Sequence, residues 1–478
     1  MQTAKSQTGY YVNSAIVVLI MFCFGFLPSF GGITEMGMKV LGIFLGVLYG
    51  WIFVGFIWPS LLGMFALGLS GYDSILNVYI AGFGDGLVLK IFFLFLFARY
   101  LDECGLTTFI AHWFIGRKVC QGRPWILTTA IFIATALICG FINVYGGIVI
   151  MWYILYSILK TAGYKRGDGY TSYMVAGIVF IGTQSMIMLP FLPMPIIFRG
   201  LLKPELLANY DLSMTAMTIF SMTLLIAMLA GYLLIGKYVL RLDVAALKTV
   251  TATESVKMNR EQTVGMISLI LFVFVLVLPM FLPNGGFKAL LTNIDVLGMA
   301  VLVLIVACFR KKDHKPLYDF SHLVATGINW DLIVLFAATM PLSAAMESEK
   351  TGIITAVINA LMPIFSQLSS SSFLFICLLI FIITTQFAHN LILIIVFMPV
   401  LAALGAQMGI DPYMFGIVFT FGMQLAFLTP GASANAAMIF GNTEWITTKD
   451  TYKLGGIFVV MGFALLMLIS VTLGRWLF

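Results

Sequence analysis

Charged residues are scarce in this sequence: Asp, Glu, Lys and Arg make up only 10% of its 478 residues. A soluble domain is about 25% charged, so a water-soluble globular protein is excluded. Hydrophobic residues instead reach 61%, and apolar segments long enough to cross a bilayer recur along the chain. The plainest of these segments are 11–31, 37–57, 214–238, 264–282, 294–309 and 455–476. The sequence therefore predicts an all-α polytopic membrane protein.

Motifs for covalent or ATP-driven chemistry are also missing. The sequence has no phosphate-binding glycine loop with a lysine, no H-E-x-x-H pair and no defensible Ser-His-Asp order. ATP-driven transport would need such a loop, so any transport has to draw on an ion gradient, and Na⁺ or H⁺ is the only cofactor expected. An enzyme is not predicted. An intramembrane enzyme is a remote alternative, resting on His389 and Thr385 one helical turn apart.

The six cysteines lack the spacing of a metal site. They are scattered, mostly in or beside apolar segments, at Cys23, Cys104, Cys120, Cys139, Cys308 and Cys377. We interpret them as small apolar packing residues rather than disulfides.

Positive charge is concentrated in two polar segments, 237–262 and 310–328. Two apolar spans joined by the short turn "PNGGF" lie between them, so both segments face the same side of the membrane. An excess of Lys and Arg marks the cytoplasmic side. The net charge of +6 is thereby explained without nucleic acid. We predict a multi-pass protein of the cell membrane, with these loops and the N-terminus in the cytoplasm and the first apolar segment retained as a helix.

The two halves of the chain resemble each other. The matching segments are 93–114 with 335–361, 141–155 with 387–401, and 173–184 with 413–424. With a shift of one residue in the second pair of segments, Asn143 pairs with Asn390, and the third pair aligns Gln184 with Gln424. Transporters built from such repeats, usually of inverted topology, place substrate and ions at the repeat interface near the middle of the bilayer.

Each half also contains two segments that cannot be plain spans. Residues 125–160 and 371–406 are too long for one span, and each has an asparagine near its middle. Further along, "MLPFLPMPIIF" and "LTPGASANAAMIFG" carry prolines, glycines and small polar residues that interrupt helices. We predict re-entrant hairpins with Asn143 and Asn390 near their tips, and broken helices beside them. Half-helix N-termini would attract an anion, and freed carbonyls would coordinate a cation.

These motifs resemble the divalent anion–sodium symporters of the ion-transporter superfamily. That family has two Ser-Asn-Thr tips, the second followed by a proline, and a broken helix reading Leu-Pro-x-Ala-Thr-Pro-Pro-Asn. The sequence has "AHNL" followed by Pro399, and "TPGASANAAMIFG" at 429–441. The resemblance implies a homodimer in which a transport domain moves against a scaffold, as in an elevator. It also implies sodium at the tips and a substrate carboxylate between them.

The resemblance implies specific ligands for sodium. In the second half the matching positions are Thr385, Ala388, Asn390 and Ala432, which offer a hydroxyl, an amide and carbonyl oxygens suited to a hard cation. In the first half they are Ile138, Ile142, Asn143 and Leu192, where only Asn143 has a polar side chain. We therefore expect coupling to fewer sodium ions than is usual in the family, or to protons.

Six residues are candidates for binding the substrate: Asn143, His389, Asn390, Ser433, Gln184 and Gln424. His389 replaces the serine of the family tip, and an ionisable residue inside a span is a functional candidate by default. It could pair with a carboxylate or carry a proton, or else be a neutral histidine that fixes the tip. The asparagines and glutamines could alternatively only join helices, and Ser433 could be an ordinary small contact residue.

We predict a secondary active transporter of small di- or tricarboxylates driven by sodium or protons. A superfamily carrier of another solute, such as a monocarboxylate, is the alternative, because the lost tip hydroxyls leave fewer donors for a second carboxylate. The predicted units are N-terminal scaffold helices (1–70), a first repeat (75–236), a cytoplasmic linker (237–262), second-half scaffold helices (263–309), a cytoplasmic basic loop (310–328) and a second repeat (329–478).

Overall fold

The computed structural model describes residues 4–478 except 203, 209, 211, 250–256, 313, 314, 366, 388 and 389. This part of the chain is helical almost throughout. Its strands are Lys311–Lys312 and Lys315–Pro316, which pair with each other in antiparallel orientation. The all-α prediction is confirmed, with this two-residue ribbon as its one departure in the described residues.

The helices of the first half of the chain are α1 (Ala4–Cys23), α2 (Glu35–Phe53), α3 (Ile57–Leu69), α4 (Ile75–Phe83), α5 (Gly86–Glu103), α6 (Leu106–Ile115), α7 (Pro124–Phe141), α8 (Val144–Ala162), α9 (Gly169–Ser185), α10 (Pro193–Gly200), α11 (Pro204–Leu207) and α12 (Met214–Leu234). Those of the second half are α13 (Arg260–Val277), α14 (Gly286–Phe309), α15 (Phe320–Gly327), α16 (Trp330–Glu347), α17 (Ile353–Phe365), α18 (Ser370–Thr385), α19 (Asn390–Gln407), α20 (Pro412–Met423), α21 (Ala434–Gly441), α22 (Thr448–Ile469) and α23 (Arg475–Leu477).

Long apolar helices account for the predicted spans. In the described part of the chain, nine helices have the length and composition to cross a membrane. Two bent helix pairs add to them: α4 with α5, at 44°, and α15 with α16, at 79°. All six apolar segments singled out in the sequence fall on helices of this kind. The segment 310–328 contains α15 as well as the ribbon, so it is more structured than a loop.

The two halves have the same order of elements, which confirms the predicted repeat. Helices α4–α10 correspond one for one to α15–α21, beginning with a bent pair and ending with a short helix after an interruption. A long apolar helix then follows in both halves, α12 in the first and α22 in the second, and each continues into a π-helical turn.

Polar residues and prolines explain where the central helices stop and start. In the first half, α7 ends at Phe141 and Asn143 caps the start of α8 in an extended conformation (φ −155°, ψ 122°). In the second half, α18 ends at Thr385 and α19 starts at Asn390. The other interruptions, 186–192 and 424–433, separate α9 from α10 and α20 from α21. The predicted breaks are therefore present in both halves.

Helices α9 and α20 lie at the centre of the protein, and every side chain in both is buried. Aromatic contacts fix α9 against α12. The rings of Tyr173 and Tyr232 stack at 4.3 Å, and each hydroxyl donates to the other residue's carbonyl, at 3.0 and 2.9 Å. Gly236 permits this approach, because a Cβ there would meet the Tyr173 ring at 2.7 Å. Satisfied hydroxyls let both tyrosines be buried without an unpaired donor.

All six cysteines are free. Cys104, Cys120, Cys139 and Cys377 are buried among apolar side chains. Their apolar surroundings agree with the interpretation of these residues as small packing side chains.

Candidate functional site

The first tip is built around Asn143. Its Oδ1 accepts hydrogen bonds from the backbone N–H groups of Tyr145 and Gly146, at 3.0 and 3.1 Å. This is an ordinary N-cap, which satisfies two donors that the start of α8 would otherwise leave unpaired. Gly140, just before the tip, lies so close to the broken segment that a Cβ there would be 3.0 Å from the Ser185 carbonyl oxygen. The first tip therefore packs directly against the first broken segment.

The second tip is connected to the second broken segment by hydrogen bonds. Asn390 is 7% exposed, and its Nδ2 donates to Gln424 Oε1 at 3.3 Å and to the Met423 carbonyl at 3.4 Å. Its backbone N–H donates to the Ala432 carbonyl at 3.3 Å. The structure thus brings together three of the predicted site residues, Asn390, Gln424 and Ala432. Two others, Ala388 and His389, lie outside the described residues.

The side chain of Gln386 is hydrogen-bonded to the backbone of the second broken segment (424–433), and the sequence did not identify it as a site residue. Its Nε2 donates to the carbonyls of Ile382 and Leu425, at 2.8 and 3.0 Å. Its Oε1 accepts from the N–H groups of Phe427 and Leu428, at 3.1 and 3.0 Å. One side chain therefore satisfies much of the backbone that the interruption of the helix would leave without partners. The only signal in the sequence is an amide side chain in an apolar run, four residues before Asn390.

Ser433 closes the same segment from its other end. Its hydroxyl donates to the Ala426 carbonyl at 2.9 Å and accepts from the Ala436 N–H at 3.0 Å. Ser433 is therefore the N-cap of α21, which also explains why the helix begins at Ala434. Its proposed contact with substrate stays a prediction, and in this geometry its proton is already committed to Ala426.

Three buried side chains near the breaks have polar atoms without a hydrogen-bond partner in the described part of the chain. They are Thr385 Oγ1, Asn435 Oδ1 and both amide atoms of Gln184. Thr385 and Gln184 are fully buried, and Asn435 is 5% exposed. Buried polar atoms are nearly always paired, so each of these orphan atoms is a candidate contact for an ion or ligand. Asn435 was not predicted, although it stands only two residues after Ser433 in the sequence.

The two halves differ in how their glutamines are held. Gln424 accepts from Asn390, and its Nε2 lies 3.7 Å from the Met186 sulfur in the first broken segment. Gln184, its counterpart, makes no described side-chain hydrogen bond. The described hydrogen bonds of Asn143 stay within its own helix. In the second half, polar groups at the tip and the broken segment are therefore joined by hydrogen bonds. The first-half counterparts Ile138, Ile142 and Leu192 are instead buried apolar side chains.

The chain is similar to known transporters in sequence and in fold. The family model described as "Citrate transporter" matches residues 40–422. The chain is 23% identical over 219 residues to the sodium-dependent low-affinity dicarboxylate transporter 1 of Caenorhabditis elegans, covering 43% of this chain and 37% of that protein. It is 27% identical over 162 residues to the human Na⁺/dicarboxylate cotransporter 3, covering 34% of this chain and 26% of that protein. These matches therefore span well under half of either relative.

A solved structure supports the fold. The crystal structure of the YdaH transporter of Alcanivorax borkumensis, described as having an unusual topology, superposes with a TM-score of 0.58. The superposition covers 84% of this chain and 88% of that chain at 12% identity, so it bears on the fold alone. The family match extends over more than half of the sequence and includes both tips. The chain belongs to the citrate transporter family.

Proposed function

We propose that this protein is a secondary active transporter that carries small di- or tricarboxylates across the cell membrane with a coupling cation. The observation that carries the proposal is the second half of the chain, where Asn390 is hydrogen-bonded to Gln424 and Ala432. The buried hydroxyl of Thr385, five residues before Asn390 in the sequence, has no described partner. One relative is named as a sodium-dependent dicarboxylate transporter and the other as a Na⁺/dicarboxylate cotransporter, which supports the same class of solute and ion.

In this proposal sodium binds between the end of α18 and the second broken segment. Its ligands are the Thr385 hydroxyl, the Asn390 amide and the backbone carbonyls of Ala388 and Ala432. These are hard oxygen donors, the type that alkali and alkaline-earth cations take in proteins. The orphan state of Thr385 Oγ1 is the support, because a threonine hydroxyl in an apolar helix ordinarily bonds back to its own helix. The neighbouring Thr384 does so, donating to the Ile380 carbonyl at 2.8 Å.

The substrate carboxylate binds next to this cation, between the two tips. Helices α8 and α19 each begin at one of the two tips, and helix N-termini favour negative charge. Gln184 offers two uncommitted amide atoms from the first half, and Asn435 an uncommitted oxygen from the second. Asn143, His389, Asn390, Gln424 and Ser433 are retained as predicted contacts. Because the first half lacks hydroxyls at its tip, we propose a single sodium ion or a proton as the coupling ion.

We infer which part of the protein moves from the location of the site on interrupted helices. We propose that the hairpins and broken helices of both repeats form a transport domain, which shifts against α1–α3, α13 and α14 in a homodimer. The match of α15 to α4 moves the proposed start of the second repeat from 329 to Phe320. The other domain boundaries, the linker 237–262 and the cytoplasmic position of both basic segments are proposed as in the sequence analysis.

A liposome assay tests this function. Purified protein in sealed liposomes loaded with unlabelled succinate or citrate should accumulate the labelled solute by counterflow, and an inward sodium gradient should increase uptake. Asn390→Ala should abolish both effects. Counterflow of a monocarboxylate but of neither di- nor tricarboxylate would replace the proposed substrate class. Full sodium-dependent uptake by Asn390→Ala would overturn the second-half site.

A further inference from the structure

A second group of charges lies inside the helical region, away from the tips. Helix α14 is interrupted at Asp295, whose backbone has φ 49° and ψ −173°. Its carboxylate forms an ion pair with Lys90 of α5. Non-glycine residues rarely adopt a positive φ, and those that do cluster at functional sites. An ionisable pair within spans is likewise unusual in a membrane protein.

Arg199 faces the same place from α10. Its Nη1 donates to the Pro190 carbonyl at 3.3 Å and lies 3.8 Å from the Met214 sulfur, and neither partner is charged. A guanidinium has five N–H donors in a planar fork, so most of its capacity is not used by these contacts. Asp295 lines the same cavity as Arg199, and its carboxylate is already paired with Lys90.

These groups line one cavity of about 300 Å³ between α5, α10, α14 and α20. This volume lies at the lower end of small-molecule sites, which span roughly 300–1,000 Å³. The charged residues in its described lining are Lys90, Arg199 and Asp295, two cations and one anion, and Tyr413 adds a hydroxyl. Leu212 and Met214 place the cavity at the start of α12, whereas the basic segment 237–262 follows the other end of that helix.

We propose that this cavity is a second anion site, which binds a carboxylate group between Arg199 and Lys90 on the face opposite the basic segments. The excess positive charge of its lining requires a counter-ion, and the Arg199 fork matches a carboxylate. Through Pro190 the guanidinium contacts the first broken segment, so an anion held here lies next to a moving part of the carrier. The inference rests on the proposed function for the choice of carboxylates as the ligand and for the movement of the broken segment.

Two substitutions should change carboxylate binding in opposite directions. A purely structural role of these residues would not produce changes of opposite sign. Arg199→Gln removes a charge-assisted contact and should weaken succinate or citrate binding about tenfold or more. Asp295→Asn removes the competing carboxylate, releases Lys90 and should strengthen binding. Asparagine has the same size and tolerates a positive φ, so this variant should fold. Arg199→Lys keeps the charge without the fork and should fall between wild type and Arg199→Gln.

Binding is measured on the full protein in nanodiscs of neutral phosphatidylcholine, which excludes anionic headgroups as the ligand, with labelled succinate and citrate and with sulfate as competitor. The same variants are made in an Asn390→Ala background, which disables the proposed central site. Residual carboxylate binding to Asn390→Ala that is lost in Arg199→Gln/Asn390→Ala supports the second site.

Three results would overturn the proposal. The first is unchanged affinity in Arg199→Gln, and the second is equal residual binding in the single and double variants. The third is competition by sulfate alone, which would assign the cavity to an inorganic anion. Failure of the proposed function has a different signature: Asn390→Ala would transport normally, whatever the Arg199 variants do.

Discussion

The side-chain amides of Asn390 and Gln424 are hydrogen-bonded to each other across 3.3 Å, although 34 residues separate them in the sequence. This bond joins the tip that begins α19 to the end of α20, where the second broken segment starts. Both groups are buried, so in an apolar interior neither has water as an alternative partner. The hydrogen bond between these two amides therefore links the position of the second tip to the position of the second broken segment.

This coupling can be measured with a double-mutant cycle on substrate binding. Asn390→Ala and Gln424→Ala should each weaken binding, and the double variant should lose less than the sum. Directly bonded groups typically show an interaction free energy of about 0.5–3 kcal/mol. Asn143 and Gln184 share no described hydrogen bond and form the matched control pair, whose effects should add. Additivity in both pairs would contradict a functional link between Asn390 and Gln424.

Thr385 provides a test of sodium binding that separates function from stability. Its hydroxyl has no described partner, so Thr385→Val should leave thermal stability in choline buffer unchanged or raised. The rise in melting temperature on adding sodium should disappear, because binding to the native state is what produces it. Uptake should then need about tenfold more sodium, the equivalent of roughly 1.4 kcal/mol.

Thr384→Val is the control for Thr385→Val. Its hydroxyl bonds only to its own helix, so the response to sodium should stay as in the wild type. Thr385→Ser, which keeps the hydroxyl, should behave in the same way. A sodium response in Thr385→Val equal to that of Thr384→Val would remove Thr385 from the site.

Gln386 should be essential for the shape of the second broken segment. Gln386→Leu has a similar volume but leaves the N–H groups of Phe427 and Leu428 and the carbonyl of Leu425 without their partner. Each buried unsatisfied group costs about 1–3 kcal/mol, so a fall in melting temperature of several degrees and loss of uptake are expected. Thr384→Val again serves as the neighbouring control. A Gln386→Leu protein with wild-type melting temperature and uptake would be incompatible with this assignment.

Because residue 389 is a histidine, we predict that uptake depends on pH. Histidine changes charge between about pH 5 and 8, and only the cationic form can pair with a carboxylate. If His389 carries this charge, uptake should rise as the pH falls through that range, and His389→Gln should give a flatter profile. Substrate protonation also changes with pH, so the comparison uses a sulfonate-containing analogue whose charge stays constant. Identical profiles for the two proteins would assign His389 to a structural role.

Several features were predictable because their causes are local. Long apolar runs set the spans, and the Pro, Gly and Asn residues near 143, 190, 390 and 430 interrupt helices wherever those helices lie. The similarity of the two halves was also visible in the sequence, and it predicted that the breaks would be matched. Three of the predicted site residues, Asn390, Gln424 and Ala432, do lie together.

Other features could not be predicted from the sequence because the groups that interact are distant in the chain. Gln386 acquires its importance from backbone groups about 40 residues further on, and nothing in "TTQFAHN" indicates that these carbonyls and N–H groups converge on it. Asp295 lies within an apolar span, and its ion-pair partner Lys90 is 205 residues away in the sequence. Ser433 is predicted to contact substrate, and only the fold shows that its hydroxyl also caps a helix.

The sequence alone determined the membrane-spanning helical class, the repeat and the positions of the breaks, because apolar length and helix-breaking residues act within a few residues of themselves. Only the tertiary structure decided which freed backbone groups are satisfied by Gln386, which oxygens stay unpaired at Thr385 and Asn435, and which charges share a cavity with Arg199. These depend on how separate helices pack, and burial then makes each paired or unpaired polar group energetically significant.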